Sequence, residues 1–238
     1  MEIMCNLALS FCVLIASVFA FAETPIPSPE PTSVPPLVET KAPQASVGSS
    51  TKPEPNWTGE AALLRKDLGI LFDESRKVNS KDHSEKTKVR KLIDDWFDWE
   101  KIAEECLGPV QWKKQPAGNR ESFLKLLKDV IQRTAYTRLD KFWQGAQYRI
   151  VEINLTGETG QVTAEFLKAG DLATLEYKML KKKTKWLIGD LKFEGEQYSQ
   201  NINQQITAFL RANSFAVFLD KLRKRRDELA ADVRTPKG

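Results

Sequence analysis

The sequence predicts an α+β domain: a four-stranded antiparallel meander packed with N-terminal and C-terminal helices. Three observations carry this. Apolar residues recur at three- and four-residue spacing from Trp57 to about Trp143, the helical period. The period then drops to two through "YRIVEINL", "GQVTAEFLKAG", "LATLEYKMLKK" and "KWLIGDLKF". The links between these segments, at Gly157–Gly160, Gly170–Asp171 and Lys183–Thr184, are too short for parallel crossovers, so the strands run antiparallel. Helices set apart from such a sheet define the α+β class.

Each element has a local reason. Thr58 can cap a helix carrying Leu64, Leu68, Leu71 and Phe72, and Ser84 a second one carrying Val89, Leu92, Ile93 and Trp96. "WFDWEKIAEECLGP" reads as a short helix stopped by Gly108 and Pro109. Asn119 starts a long helix through Phe123, Leu127, Val130 and Ile131. After the strands, one helix ends near Asn213 and a last one carries Phe215, Phe218, Leu219 and Leu222.

The flanks are of another kind. Residues 1–22 are expected to be an export signal, with an apolar run over 3–21 and an Ala-Phe-Ala cleavage site before Glu23. Residues 23–56 are expected to be an extended linker. Nine of the twelve prolines lie between Glu23 and Pro55, with too few large apolar side chains to offset ordering entropy. The folded unit is then 57–232, followed by a disordered tail over 233–238. Cys5 and Cys12 leave with the signal, so Cys106 has no intramolecular disulfide partner. Beyond Pro55, 34 basic residues face 27 acidic ones. That excess is too diluted to argue for nucleic acid and is compatible with an acidic lipid or protein surface.

Catalytic chemistry finds little support. The single histidine, His83, sits in the polar stretch "SKDHSEK" and reads as a solvated loop residue. Metal-ligand spacing, a "GxxxxGK" phosphate loop and a "GxGxxG" turn are all missing. Asp190 lies mid-strand, where a carboxylate is either hydrogen-bonded or a base. The runs "KKKTK" and "KLRKRRDE" read first as a hairpin tip and an exposed helix face. Alternation puts Val151, Ile153 and Leu155 on one face of the first strand, and Val162, Ala164 and Phe166 on one face of the second. Leu175, Tyr177 and Met179 share a face in the third, as do Leu187, Leu191 and Phe193 in the fourth. A solid core and a pocket wall have the same chemistry, so periodicity alone leaves both open.

"FDWEKIAEECLG", an aromatic helix ending "AYTRLDKF", and strands ending "KWLIGDLKFEG" before a further helix resemble the MlaC, or toluene-tolerance, family of periplasmic phospholipid-binding proteins. The resemblance spans about residues 60–225. It departs at Gly189, where the family usually has an aromatic, and at Gln197, Asn201, Ile202 and Asn203. It implies an apolar cavity between sheet and helices that holds a phospholipid's acyl chains. It also implies a monomeric soluble carrier, without cofactor or bond chemistry, shuttling lipid between an inner-membrane ABC transporter complex and an outer-membrane lipoprotein partner. The lipid-contacting residues would be Phe123, Leu127 and Phe142 from the long helix, and Val151, Ile153, Ala164, Phe166, Leu175 and Tyr177 from the first three strands. Gly189, Leu191 and Phe193 would follow from the fourth strand, and Ile202, Ile206 and Phe209 from the next helix. Gly189 would leave room for acyl carbon. Lys221, Lys224 and Arg225 would dock partners. The other readings are a proton-transfer enzyme using Asp190 or Tyr177, and an interaction module with a solid core.

Overall fold

The structure is a computed structural model describing residues 55–193 and 195–232. The expected signal, the linker as far as residue 54 and the tail from 233 lie outside the described residues. Helix α1 is Gly59–Ser75, α2 His83–Asp94, α3 Trp99–Leu107, α4 Pro109–Lys114 and α5 Ala117–Trp143. Strands β1 (Gln147–Thr156), β2 (Thr159–Lys168), β3 (Asp171–Lys182), β4 (Lys185–Phe193) and β5 (Glu196–Gln197) follow, then α6 (Tyr198–Leu210) and α7 (Phe215–Asp232).

The helix starts correct two expectations. Thr58 precedes α1 but its side chain caps nothing. Asp82, not Ser84, caps α2, its Oδ1 accepting the Ser84 and Glu85 amides at 2.7 and 3.2 Å. His83 is therefore the first residue of a helix rather than part of a loop. Asp98 caps α3 through the Lys101 amide. Gly108 ends α3 at φ +83°, a region closed to most side chains. A Cβ there would stand 2.7 Å from the Asn203 side chain, which donates to the Cys106 carbonyl. Pro109 then opens α4 at once, where a missing N–H costs nothing. At 27 residues α5 is about 40 Å long and spans the molecule.

The sheet order is β1-β2-β3-β4-β5, all antiparallel. It has five strands, not four. The chain reverses at Gly195 (φ +88°), and Glu196 and Gln197 pair with Phe193 and Lys192. Two residues are too few for any alternation to announce a strand.

Two bulges reset which side chains share a face. In β1, Ile150 pairs with Ala164 and Glu152 with Thr163, so Val151 is the inserted residue. Ile150 and Ile153, not Val151, share the inner face. In β4, Ile188 pairs with Met179 and Asp190 with Lys178, so Gly189 is inserted. The inner face of β4 is Trp186, Ile188, Leu191 and Phe193, while Leu187 pairs with Leu180 on the other side.

Two cores result. One packs the inner sheet face against α1, α2 and the C-terminal half of α5, around Leu68, Phe72, Val162, Ala164 and Met179. The other joins α3, the N-terminal half of α5, α6 and α7 around Leu107, Phe123, Leu127, Ile206, Phe218 and Leu222. Burying one such side chain contributes about 1.5–3 kcal/mol. The segment Trp96–Asp98 stitches them together along β4: the Ile188 amide donates to the Trp96 carbonyl at 2.7 Å, and the Asp98 amide donates to the Ile188 carbonyl at 2.9 Å.

Candidate functional site

Between the two cores lies a cavity of about 230 Å³. One wall is a stripe of α5, Ile131, Ala135, Leu139 and Phe142, brought onto one side by three- and four-residue spacing. The facing wall is sheet: Ala173, Leu175 and Tyr177 at alternate places in β3, and Ile188, Leu191 and Phe193 in β4. The Gly189 bulge allows Ile188 and Leu191, three residues apart, to face the same way. Phe97, Trp99 and Ile102 contribute from the α3 side.

One end is built of packed aromatic rings. Phe72 meets Phe166 edge-on at 5.6 Å, and Phe142 and Trp143 lie 5.3 and 5.8 Å from Phe166. Such contacts add about 0.5–1.5 kcal/mol per pair beyond burial. Several other lining residues, including Ala135, Leu139, Leu175 and Leu191, are only half-buried.

The polar groups in the wall are mostly committed. Ser75 donates to the Phe72 carbonyl at 2.8 Å. Asp190 is 3% exposed and accepts four hydrogen bonds. Its Oδ1 takes the Leu191 and Ser199 amides, and its Oδ2 takes the Ser199 hydroxyl and the Gln197 side chain. Asp190 thereby fastens the end of β4 to the first turn of α6, whose free N–H groups favour an acceptor. That clamp explains how a strand can turn so abruptly into a helix. Burial pushes the Tyr177 phenol far above its ordinary range, and raises that of Tyr136 to about 12.

Of the fifteen residues that the family resemblance marks for lipid contact, six line this cavity: Phe142, Phe166, Leu175, Tyr177, Leu191 and Phe193. Nine do not. Phe123, Leu127, Ile202, Ile206 and Phe209 pack in or against the helical core, because α6 lies on α3 and α7 rather than across the cavity mouth. Ile153 and Ala164 belong to the sheet-side core beyond the lining, and Val151 is turned aside by its bulge. Gly189 opens no room into the cavity: a Cβ there would stand 2.5 Å from Leu180 Cδ1 and near Lys101, on the outer face. Among residues not expected in the lining, Ile131 was visible on the apolar side of its helix, but spacing cannot tell a side that faces a void from one that faces a core. Nothing in the sequence marks Trp99 as lining, whereas Tyr198 heads the stripe that continues through Ile202, Ile206 and Phe209 and is its one member in the cavity wall.

The basic run of α7 is largely compensated on its own helix. Arg223 pairs with Asp220, Arg225 with Glu228 at 3.2 Å and Arg226 with Asp227 at 2.8 Å. Lys221 lies over the Phe209 ring, 5.3 Å from its centroid. Lys224 is exposed. Among the described residues no cluster of His, Cys, Asp and Glu could hold a metal ion, and no helix is long and apolar enough to cross a membrane.

The sequence model of the MlaC protein family matches residues 65–224, which covers α3, α5, the whole sheet and α6. The chain belongs to the MlaC family. No curated protein sequence matches it. Among solved structures, it is similar to a phospholipid-binding protein from Ralstonia solanacearum in complex with a phospholipid. The TM-score is 0.59 at 15% identity, and the match covers 73% of this chain and 99% of that one. At that identity the likeness speaks to the fold alone.

Proposed function

We propose that this MlaC-family protein binds a phospholipid by its acyl chains and carries it through the periplasm between membranes. It would act as the soluble component of an ABC-type system with inner-membrane and outer-membrane partners. The observation that carries the reading is the apolar cavity between α5 and the β3–β4 face. The similar fold that holds a phospholipid in the Ralstonia solanacearum protein supports it.

The energetics define the task. Burying a methylene is worth about 0.8 kcal/mol, so two chains of about thirty methylenes face a barrier above roughly 20 kcal/mol if they cross water bare. A carrier replaces bilayer with cavity and need only match the bilayer's affinity. A volume of about 230 Å³ lies below the roughly 300–1,000 Å³ of ordinary ligand pockets, so a phospholipid's chains require the cavity to widen. Proton transfer draws no support from Asp190, whose oxygens are saturated by four donors, or from Tyr177, whose phenol burial holds neutral. A solid core draws none from the cavity.

The test is transfer between two vesicle populations. Delipidated protein should move labelled phospholipid from donor to acceptor vesicles at a rate proportional to its concentration. A rate equal to spontaneous exchange at all concentrations would remove the carrier role.

A further inference from the structure

Asp94 closes α2 directly after the cavity-lining residue Ile93, and three groups converge on it. Gln132 Nε2 donates to Oδ1 at 2.6 Å, and Lys128 Nζ donates to Oδ2 at 2.6 Å. The Trp99 indole N–H donates to the Asp94 carbonyl at 3.2 Å. Gln132 and Trp99 are both part of the cavity lining, and Lys128 Nζ stands 5.4 Å from the centroid of the Trp99 ring. The side chains of Lys128 and Asp94 are 29% and 25% exposed, so the pair sits where the apolar wall meets water. Elsewhere in the wall, Ser75 and Asp190 are committed to the protein's own groups.

We propose that Asp94 and Lys128, with Gln132 and Trp99, read the lipid headgroup and favour a zwitterionic, ammonium-bearing headgroup over an anionic one. The proposal rests on the phospholipid reading above. Acyl chains in the apolar cavity put the phosphate where the wall becomes polar. Lys128 has three donors and gives one to Asp94, which leaves others for a phosphate oxygen. Asp94 accepts the ammonium through the lone pairs that Gln132 and Lys128 leave open. The pair is neutral as a unit. A zwitterion brings one charge for each member, whereas an anionic headgroup brings a negative charge to a lysine already compensated and a carboxylate that repels it.

Delipidated protein would be incubated with vesicles holding equal amounts of phosphatidylethanolamine and phosphatidylglycerol with matched chains, and the captured lipid extracted and quantified. The wild type is expected to enrich phosphatidylethanolamine roughly threefold to fivefold, the scale of a part-exposed ion pair. Lys128→Gln should bring the ratio toward unity. Asp94→Asn, which leaves Lys128 uncompensated, should turn it toward phosphatidylglycerol. The ratio is read from the lipid each variant captures, whatever its total. Equal capture by the wild type, or an unchanged ratio in Lys128→Gln, overturns the proposal and leaves the carrier reading standing. Capture of no lipid by the wild type refutes the carrier reading itself. Should Asp94→Asn fail to fold, Lys128→Gln decides alone.

Discussion

Leu191 and Gly189, two places apart in β4, distinguish the cavity wall from the outer face of the sheet. Leu191 lines the cavity and is only half-buried, so Leu191→Asp places a carboxylate where water can reach it. An unpaired charge in a dry core is costly, but one in an opening cavity is hydrated. The expected outcome is bound lipid reduced at least tenfold, with the melting temperature lowered by only a few degrees. Lipid extraction and thermal unfolding measure the two together, and outright unfolding would place Leu191 in solid packing. Gly189→Ala makes the opposite prediction. Its Cβ would press on Leu180 on the outer face, 2.5 Å from Cδ1, and overpacking of this sort costs about 1–3 kcal/mol. Stability should fall while bound lipid is retained. Loss of lipid with unchanged stability would put Gly189 back in the cavity wall.

The order and type of the long elements were legible because periodic segments state them plainly, whereas the six-residue α4 and the two-residue β5 are too short for a period to show. Fine placement within the long elements was not legible. Alternation over "YRIVEINL" put Val151 inward, yet one inserted residue in β1 moves it out and brings Ile150 in. The same event at Gly189 exchanges Leu187 for Ile188. A bulge leaves no mark on apolar composition, so period-two reasoning carries its error past the insertion. The thin stripe of Ile202, Ile206 and Phe209 was visible, but its partner was not, since packing on α3 and on sheet require the same side chains. For α7, docking through Lys221, Lys224 and Arg225 remains our proposal, and the structure refines its test. Arg225 is partnered by Glu228 and Lys221 rests on Phe209, so reversing either also disturbs packing. Exposed Lys224 is the cleaner probe. Lys224→Glu should leave melting temperature and bound lipid unchanged, since exposed charges contribute about 0–1 kcal/mol. Delivery to anionic vesicles should slow at low salt and recover as salt screens the field over about 8–10 Å. Equal delivery rates at low salt would make this run an ordinary solvated face.

For the whole molecule, two cores share one long helix and leave a gap where they meet. The sheet-side core and the helical core are held in register by α5, by the Trp96–Asp98 stitch and by the Asp190 clamp, all at the cavity's margins rather than across it. A domain packed this well on both sides of an apolar gap leaves that wall exposed to water at about 25 cal/mol per Å² until something covers it. The account therefore requires an occupant. Native mass spectrometry of protein purified without detergent tests this most directly. The predicted result is a mass excess equal to one glycerophospholipid per chain, lost on organic extraction and restored by incubation with vesicles. Protein that runs at its bare polypeptide mass, and stays there after incubation with vesicles, would contradict it.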